Sequence, residues 1–196
     1  MKYLKIYCDA GSYNNGHKDP DKPMIGSYGS LIVNENNEIL KEYSKSYSEI
    51  TNNQGELYGF IKPYLEFLLS YNSNDKYTIE VISDSQYLVN GVNKYLNGWK
   101  KKNWKNSQGD EVKNIKMWKI INFLINFQPN ITLKFSWQKG HKGKKVTKEE
   151  NPNIYFNEYC DSLAVKSINE ALENDLNDNN RFETLIDTLY NKFNLN

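Results

Sequence analysis

The order in which apolar residues change their spacing restricts this chain to few folds. Lys2 to Asp9 alternates apolar and polar positions and reads as a strand, followed by a polar loop over Asn14 to Pro23. Ile25 to Val33 and Glu38 to Tyr47 flank Asn34-Glu35-Asn36-Asn37, the pattern of a hairpin with an Asn-rich turn. From Glu56 the spacing becomes helical, through Leu57, Phe60, Ile61, Tyr64, Leu65 and Leu68, with Pro63 expected to kink the helix. Tyr77 to Ser83 reads as a fourth strand, and Ser85 as the cap of a helix over Gln86 to Tyr95. Asp110-Glu111 is expected to open another helix, carrying Ile115, Trp118, Ile121, Phe123, Leu124 and Ile125, which Pro129 stops before a fifth strand, Ile131 to Trp137. Crossover helices between strands make part of such a sheet parallel. The expected fold is α/β: a five-stranded mixed sheet flanked by helices.

At 196 residues the chain is long enough for one domain with a real core. That domain is expected over 1–165, with 166–196 as an extension: an Asn-rich acidic stretch around Asn174 to Asn180, then an amphipathic segment from Phe182 to Phe193. Net charge is only +1, so any affinity for polyanions must come from local clustering. The two cysteines, Cys8 and Cys160, form no disulfide framework, and MKYLKIYC lacks the apolar stretch of a signal peptide. No run reaches membrane-spanning length. A soluble, cytoplasmic protein is expected.

Four acids stand in distinctive settings: Asp9 in IYCDAGS, Glu56 in TNNQGEL, Asp84 in VISDSQYL and Asp161 in NEYCDSLA. Asp9 and Asp84 each close a β-branched, aromatic-rich run, so both should emerge at one edge of the sheet. Taken singly, each acid could be a cap, a turn residue or a solvated helix charge. Gathered together they could not all stay ionised without a counterion, because their ordinary pKa values lie near ~4 and like charges repel. Oxygen-only ligands favour a hard divalent cation.

Taken in order, these motifs resemble a type 1 ribonuclease H over residues 1 to 165. TNNQGEL, SDSQYLVNGV, NGWKKKNWK, VKNIKMW and WQKGHKG carry the resemblance. It implies a ribonuclease H-like fold and a largely sequence-independent endonuclease that cleaves the RNA strand of RNA/DNA hybrids. Asp9, Glu56, Asp84 and Asp161 would hold two Mg²⁺ ions, with Mn²⁺ as a substitute, and Asp9 shared between them. His141 in KGHKG matches the family's mobile catalytic histidine. Thr51, Asn52, Asn53 and Gln86 match positions that contact the hybrid, where amides can read 2′-hydroxyls in the minor groove. Trp99, Lys100, Lys101, Lys102, Trp104 and Lys105 fall in a basic protrusion over 94–119 that grips the DNA strand, combining phosphate attraction with flat apolar surface. The expected partner is a hybrid, with no membrane, no obligate protein partner and a monomeric, intracellular enzyme of prokaryotic or viral type. Two rivals are a noncatalytic hybrid-binding module and a nuclease acting on other duplexes.

Overall fold

The structure, a computed structural model, describes residues 1–72, 74–140, 146–174 and 181–195. Strands β1 (Lys2–Tyr13), β2 (Ile25–Asn34) and β3 (Ile39–Ser48) form an antiparallel meander, followed by α1 (Asn52–Ser70) and β4 (Tyr77–Ser83). Then come α2 (Gln86–Asn90), a π-helical turn (Gly91–Tyr95), α3 (Leu96–Lys101), α4 (Ile115–Phe127), β5 (Ile131–Trp137), α5 (Pro152–Glu173) and α6 (Arg181–Lys192). The sheet order is β3-β2-β1-β4-β5, with β1, β4 and β5 mutually parallel. This is the five-stranded mixed sheet that the spacing predicts.

Alternation along β1 sends successive side chains to opposite faces. Ile6 and Cys8 join the larger core, with Ile79 and Val81 of β4, Phe60 and Tyr64 of α1 and Trp118 of α4. Tyr7 points the other way, packing with Leu31, Val33 and Ile82 against Phe156 and Cys160 of α5. Asp9 shares the face of Tyr7 and therefore meets α5. That helix lies directly on the sheet because Gly29, paired with Asp9, has no side chain: a Cβ there would stand 2.0 Å from the Cys160 carbonyl oxygen.

Helix α1 shows how the fold accommodates a residue that should disturb it. Pro63 lacks the N–H that would bond the Gly59 carbonyl one turn earlier, yet α1 runs on to Ser70. The hydroxyl of Ser30 on β2 donates to the Gly59 carbonyl oxygen at 2.6 Å, supplying the missing donor. Thr51 caps the same helix, with a reciprocal bond between its backbone and the Gln54 side chain.

Three local expectations need correction. Strand β1 does not end at Asp9 but continues to Tyr13, paired with β2 alone, because β4 stops at Ser83. The helix expected over Gln86 to Tyr95 starts on the Ser85 cap but widens into a π turn at Gly91, and α3 then carries helical structure to Lys101. Asp110 and Glu111 do not open α4. Glu111 pairs with Lys105 in a short antiparallel bridge, Asn114 takes a left-handed backbone, and the helix begins at Ile115.

Helix α5 continues without a break through residues 165 and 166 to Glu173. Helix α6 packs on the larger core, with Phe182 against Tyr47 and Tyr58, and it reaches α4 through an ion pair from Lys116 to Asp187.

Candidate active site

Asp9 and Asp84 meet because of strand register. The parallel pairing of β1 with β4 ends at Tyr7 opposite Ile82, and two residues further on the same register sets Asp9 opposite Asp84. Asp9 is buried. The Ala10 N–H donates to its Oδ1 at 2.7 Å, and the Asn157 amide of α5 donates to its Oδ2 at 3.4 Å. Asp84 is half-buried, and Asn157 and Asp9 both lie close enough to its carboxyl to act on it.

Crowding these acids together raises their affinity for protons. Burial pushes the Asp9 carboxyl up to about 8, reinforced by the charges of Asp84, Asp161 and Glu56 and opposed only by the Ala10 N–H. Asp84 is raised as well, by burial and then by Asp161, against its own backbone bond. Glu56, on α1, is raised by burial and by Asp84, while bonds from Ser85 and Asn52 work the other way. The Asn52 amide donates to Glu56 Oε1 at 2.9 Å, and the Ser85 hydroxyl donates to Oε2. The same Ser85 oxygen accepts the Leu88 N–H at 3.1 Å, so the cap of α2 also fixes an acid of α1. Asp161, one helical turn after Asn157 on α5, is exposed. Among the described residues no three His, Cys, Asp or Glu side chains close into a metal cage. The four acids share one electrostatic field, with Asp161 on its solvent side.

Two neighbours shape the Asp84 end. Trp137, at the exit of β5, donates its indole N–H to the Asp84 carbonyl oxygen at 3.0 Å. Gly140 leaves room for the carboxylate, since a Cβ there would come within 2.7 Å of Asp84 Oδ2. His141 lies outside the described residues. Sequence reasoning passed over Ser85 as a partner of Glu56, and it passed over Asn157 and Trp137. For Asn157 the spacing shows only that it shares a helix face with Asp161, not that this face lies on Asp9.

The remaining expected contacts divide by commitment. Thr51 is engaged as a cap and Asn52 in holding Glu56, whereas Asn53 and Gln86 are exposed beside the acids. Lys100, Lys101, Lys102 and Lys105 all project into solvent. Trp99 and Trp104 are half-buried, Trp99 packing on Trp118 with ring centroids 5.2 Å apart, so they anchor the protrusion from below. A groove of about 420 Å³ runs between Lys94, Tyr95, Lys102 and Lys105.

The family model for RNase H matches residues 1–169. A Ribonuclease H of Pseudoalteromonas atlantica is 32% identical over 164 residues, covering 84% of this chain and 89% of that protein. A Ribonuclease H of Clostridium botulinum is 33% identical over 171 residues, covering 87% of this chain and 98% of that protein. Among solved structures, LC11-RNase H1 in complex with an RNA/DNA hybrid is similar in fold, with a TM-score of 0.58 at 19% identity, over 86% of this chain and 99% of that one. With a matching family model over most of its length and relatives above three-tenths identity, the chain belongs to the ribonuclease H family.

Proposed function

We propose that the cluster of Asp9, Glu56, Asp84 and Asp161 is the centre at which this ribonuclease H hydrolyses the RNA strand of RNA/DNA hybrids, and that it works with two Mg²⁺ ions. The observation that carries the reading is the register that sets buried Asp9 opposite half-buried Asp84 at the ends of two adjacent parallel strands, with Glu56 held beside them by Ser85. A binding module for polyanions gains nothing from such a pair. A cation site does, because the ion supplies the counter-charge that lets crowded carboxyls ionise.

The donor set fits a hard cation. It is all oxygen, and the two buried cysteines stand on the core side and the α5 backbone respectively, with their thiols pushed up by burial. Bound Mg²⁺ supplies an activated water, charge neutralisation at the phosphate and stabilisation of the leaving oxygen. The chain's own residues do the rest. Ala10 and Asn157 orient Asp9, Ser85 and Asn52 orient Glu56, and Trp137 fixes the backbone of Asp84. Asn53 and Gln86 are free to read the 2′-hydroxyls of the strand lying over the acids, while the exposed lysines of the protrusion take the partner strand's phosphates. All four acids come from one chain, which suits a monomer. No helix among the described residues is long and apolar enough to cross a membrane, and two free buried thiols suit a reducing cytoplasm.

The test is cleavage of a labelled RNA/DNA hybrid beside duplex RNA and duplex DNA, with Mg²⁺ and with EDTA. Asp9→Asn and Asp84→Asn should each abolish RNA-strand cleavage while retaining hybrid binding. Full activity in either variant removes the assignment, and equal cleavage of duplex DNA removes the substrate.

A further inference from the structure

Lys100, Lys101, Lys102 and Lys105 project into solvent, so where their charges stand is set by the backbone that carries them. That backbone is rooted on α4 at two points. Trp99 packs on Trp118, and the Val112 N–H donates to the Trp104 carbonyl oxygen at 3.0 Å shortly before α4 begins. Trp118 is fully buried, with its indole N–H donating to the Tyr87 hydroxyl at 3.1 Å and its ring seated so close to the π turn that a Cβ on Gly91 would stand 2.0 Å from it. A different face of α4, with Lys116, Lys119 and Phe123 at i, i+3 and i+7, meets the C-terminal extension. Lys116 pairs with Asp187 at 2.5 Å, and Lys119 Nζ donates to the Tyr190 hydroxyl at 2.8 Å and to the Leu195 carbonyl oxygen at 3.2 Å. Phe123 stacks on Phe193 with ring centroids 4.7 Å apart. The half-exposed ion pair alone contributes little, but Phe182 and Ile186, buried in the larger core, give α6 a firm seat from which all these attachments act together. The RNase H family model ends at residue 169, so α6 lies outside the part of the chain that it matches.

We propose that α6 is a positioning element for hybrid binding: it braces α4 through Lys116, Lys119 and Phe123 and so fixes Trp118, the anchor on which Trp99 and the lysines of the protrusion are carried. A shift of α4 at Trp118 would move Trp99 with it and leave the lysines to be ordered only when the nucleic acid arrives, which costs affinity. None of the four acids stands on α4 or α6, so the brace acts on binding and leaves the chemical step alone. The inference rests on reading the protrusion as the grip on the DNA strand.

The experiment measures kcat and KM for hybrid cleavage by the full chain, beside amide hydrogen exchange over residues 99–112. Asp187→Ala combined with Phe193→Ala loosens the joint and keeps Phe182 and Ile186 in place. KM should rise by about 3–10-fold with kcat unchanged, and exchange should quicken over the protrusion and not in β1 or β4. Asp187→Glu with Phe193→Tyr, which keeps the charge and the ring, should restore KM. If the alanine pair does not fold, Asp187→Asn with Tyr190→Phe replaces it and should move KM and the local exchange in the same direction. An unmoved KM overturns the proposal, as does a loss of kcat with faster exchange throughout the chain, which is the mark of a merely stabilising helix. Replacing Lys100, Lys101 and Lys102 in the same assay separates the two readings. A lysine variant with unmoved KM removes the protrusion from the interface and this proposal with it, whereas a raised KM there and none in the α6 variants removes this proposal alone.

Discussion

Asp9 carries a large electrostatic consequence for the fold. In the folded chain, without metal, burial and Asp84 hold its carboxyl near 8, whereas in the unfolded chain it returns to ~4. The native state therefore keeps a proton that the unfolded state has released. The stability this confers is full below about pH 4 and is lost as the pH rises through 8. Asp9→Asn copies the neutral carboxyl, so in EDTA at about pH 9 it should melt higher than the unmodified chain, and the two should converge below about pH 4. Thermal melts across that range check this, and a variant that keeps the unmodified slope sinks it. Asp9 and Asp84 were legible as neighbours because each ends a β-branched run, although the cause is the shared register and not the end of β1. Asn157 was not legible as a partner. In NEYCDSLA an asparagine one turn before an acid looks like any helical polar residue until the helix is seen to lie on Asp9.

Among the elements, α1 holds a proline in its middle because β2 answers it. Removing the Ser30 hydroxyl leaves the Gly59 carbonyl buried without a donor, so Ser30→Ala should cost about 1–3 kcal/mol. In a Pro63→Ala background the restored Ala N–H bonds Gly59, and the same Ser30→Ala change should then cost much less. A double-mutant cycle by denaturant unfolding measures the difference, and additive costs would contradict the coupling. Elements were readable from the sequence where both ends carried a local signal. β4 and β5 are bounded by turn residues and emerge with the expected limits, and Ser85 and Thr51 cap as their side chains allow. The start of α4 was not readable, because the acidic pair that usually favours a helix N-terminus is taken up instead by the bridge between Lys105 and Glu111. No local pattern announces a pairing formed across a loop. Nor does an amphipathic segment state its partner, and the seat of Phe182 between Tyr47 and Tyr58 follows only from the tertiary fold.

Over the whole molecule, a net charge of +1 conceals a division between the acids at the sheet edge and the lysines of the protrusion. Affinity for a polyanion should depend on the second group and catalysis on the first. Replacing Lys100, Lys101 and Lys102 together should weaken hybrid binding and make its log–log salt slope shallower by roughly 2–3, with the Mg²⁺ midpoint of melting unmoved. Binding measured over a range of salt concentrations checks this, and an unchanged slope would remove the protrusion from the interface. The acids themselves come from β1, α1, the residue just after β4, and α5, segments far apart in the chain that meet only when the sheet and both of its covering helices are in place. A centre drawn from such distant segments is a property of the completed fold: parting β1 from β4, or lifting α5 from the sheet, separates its acids.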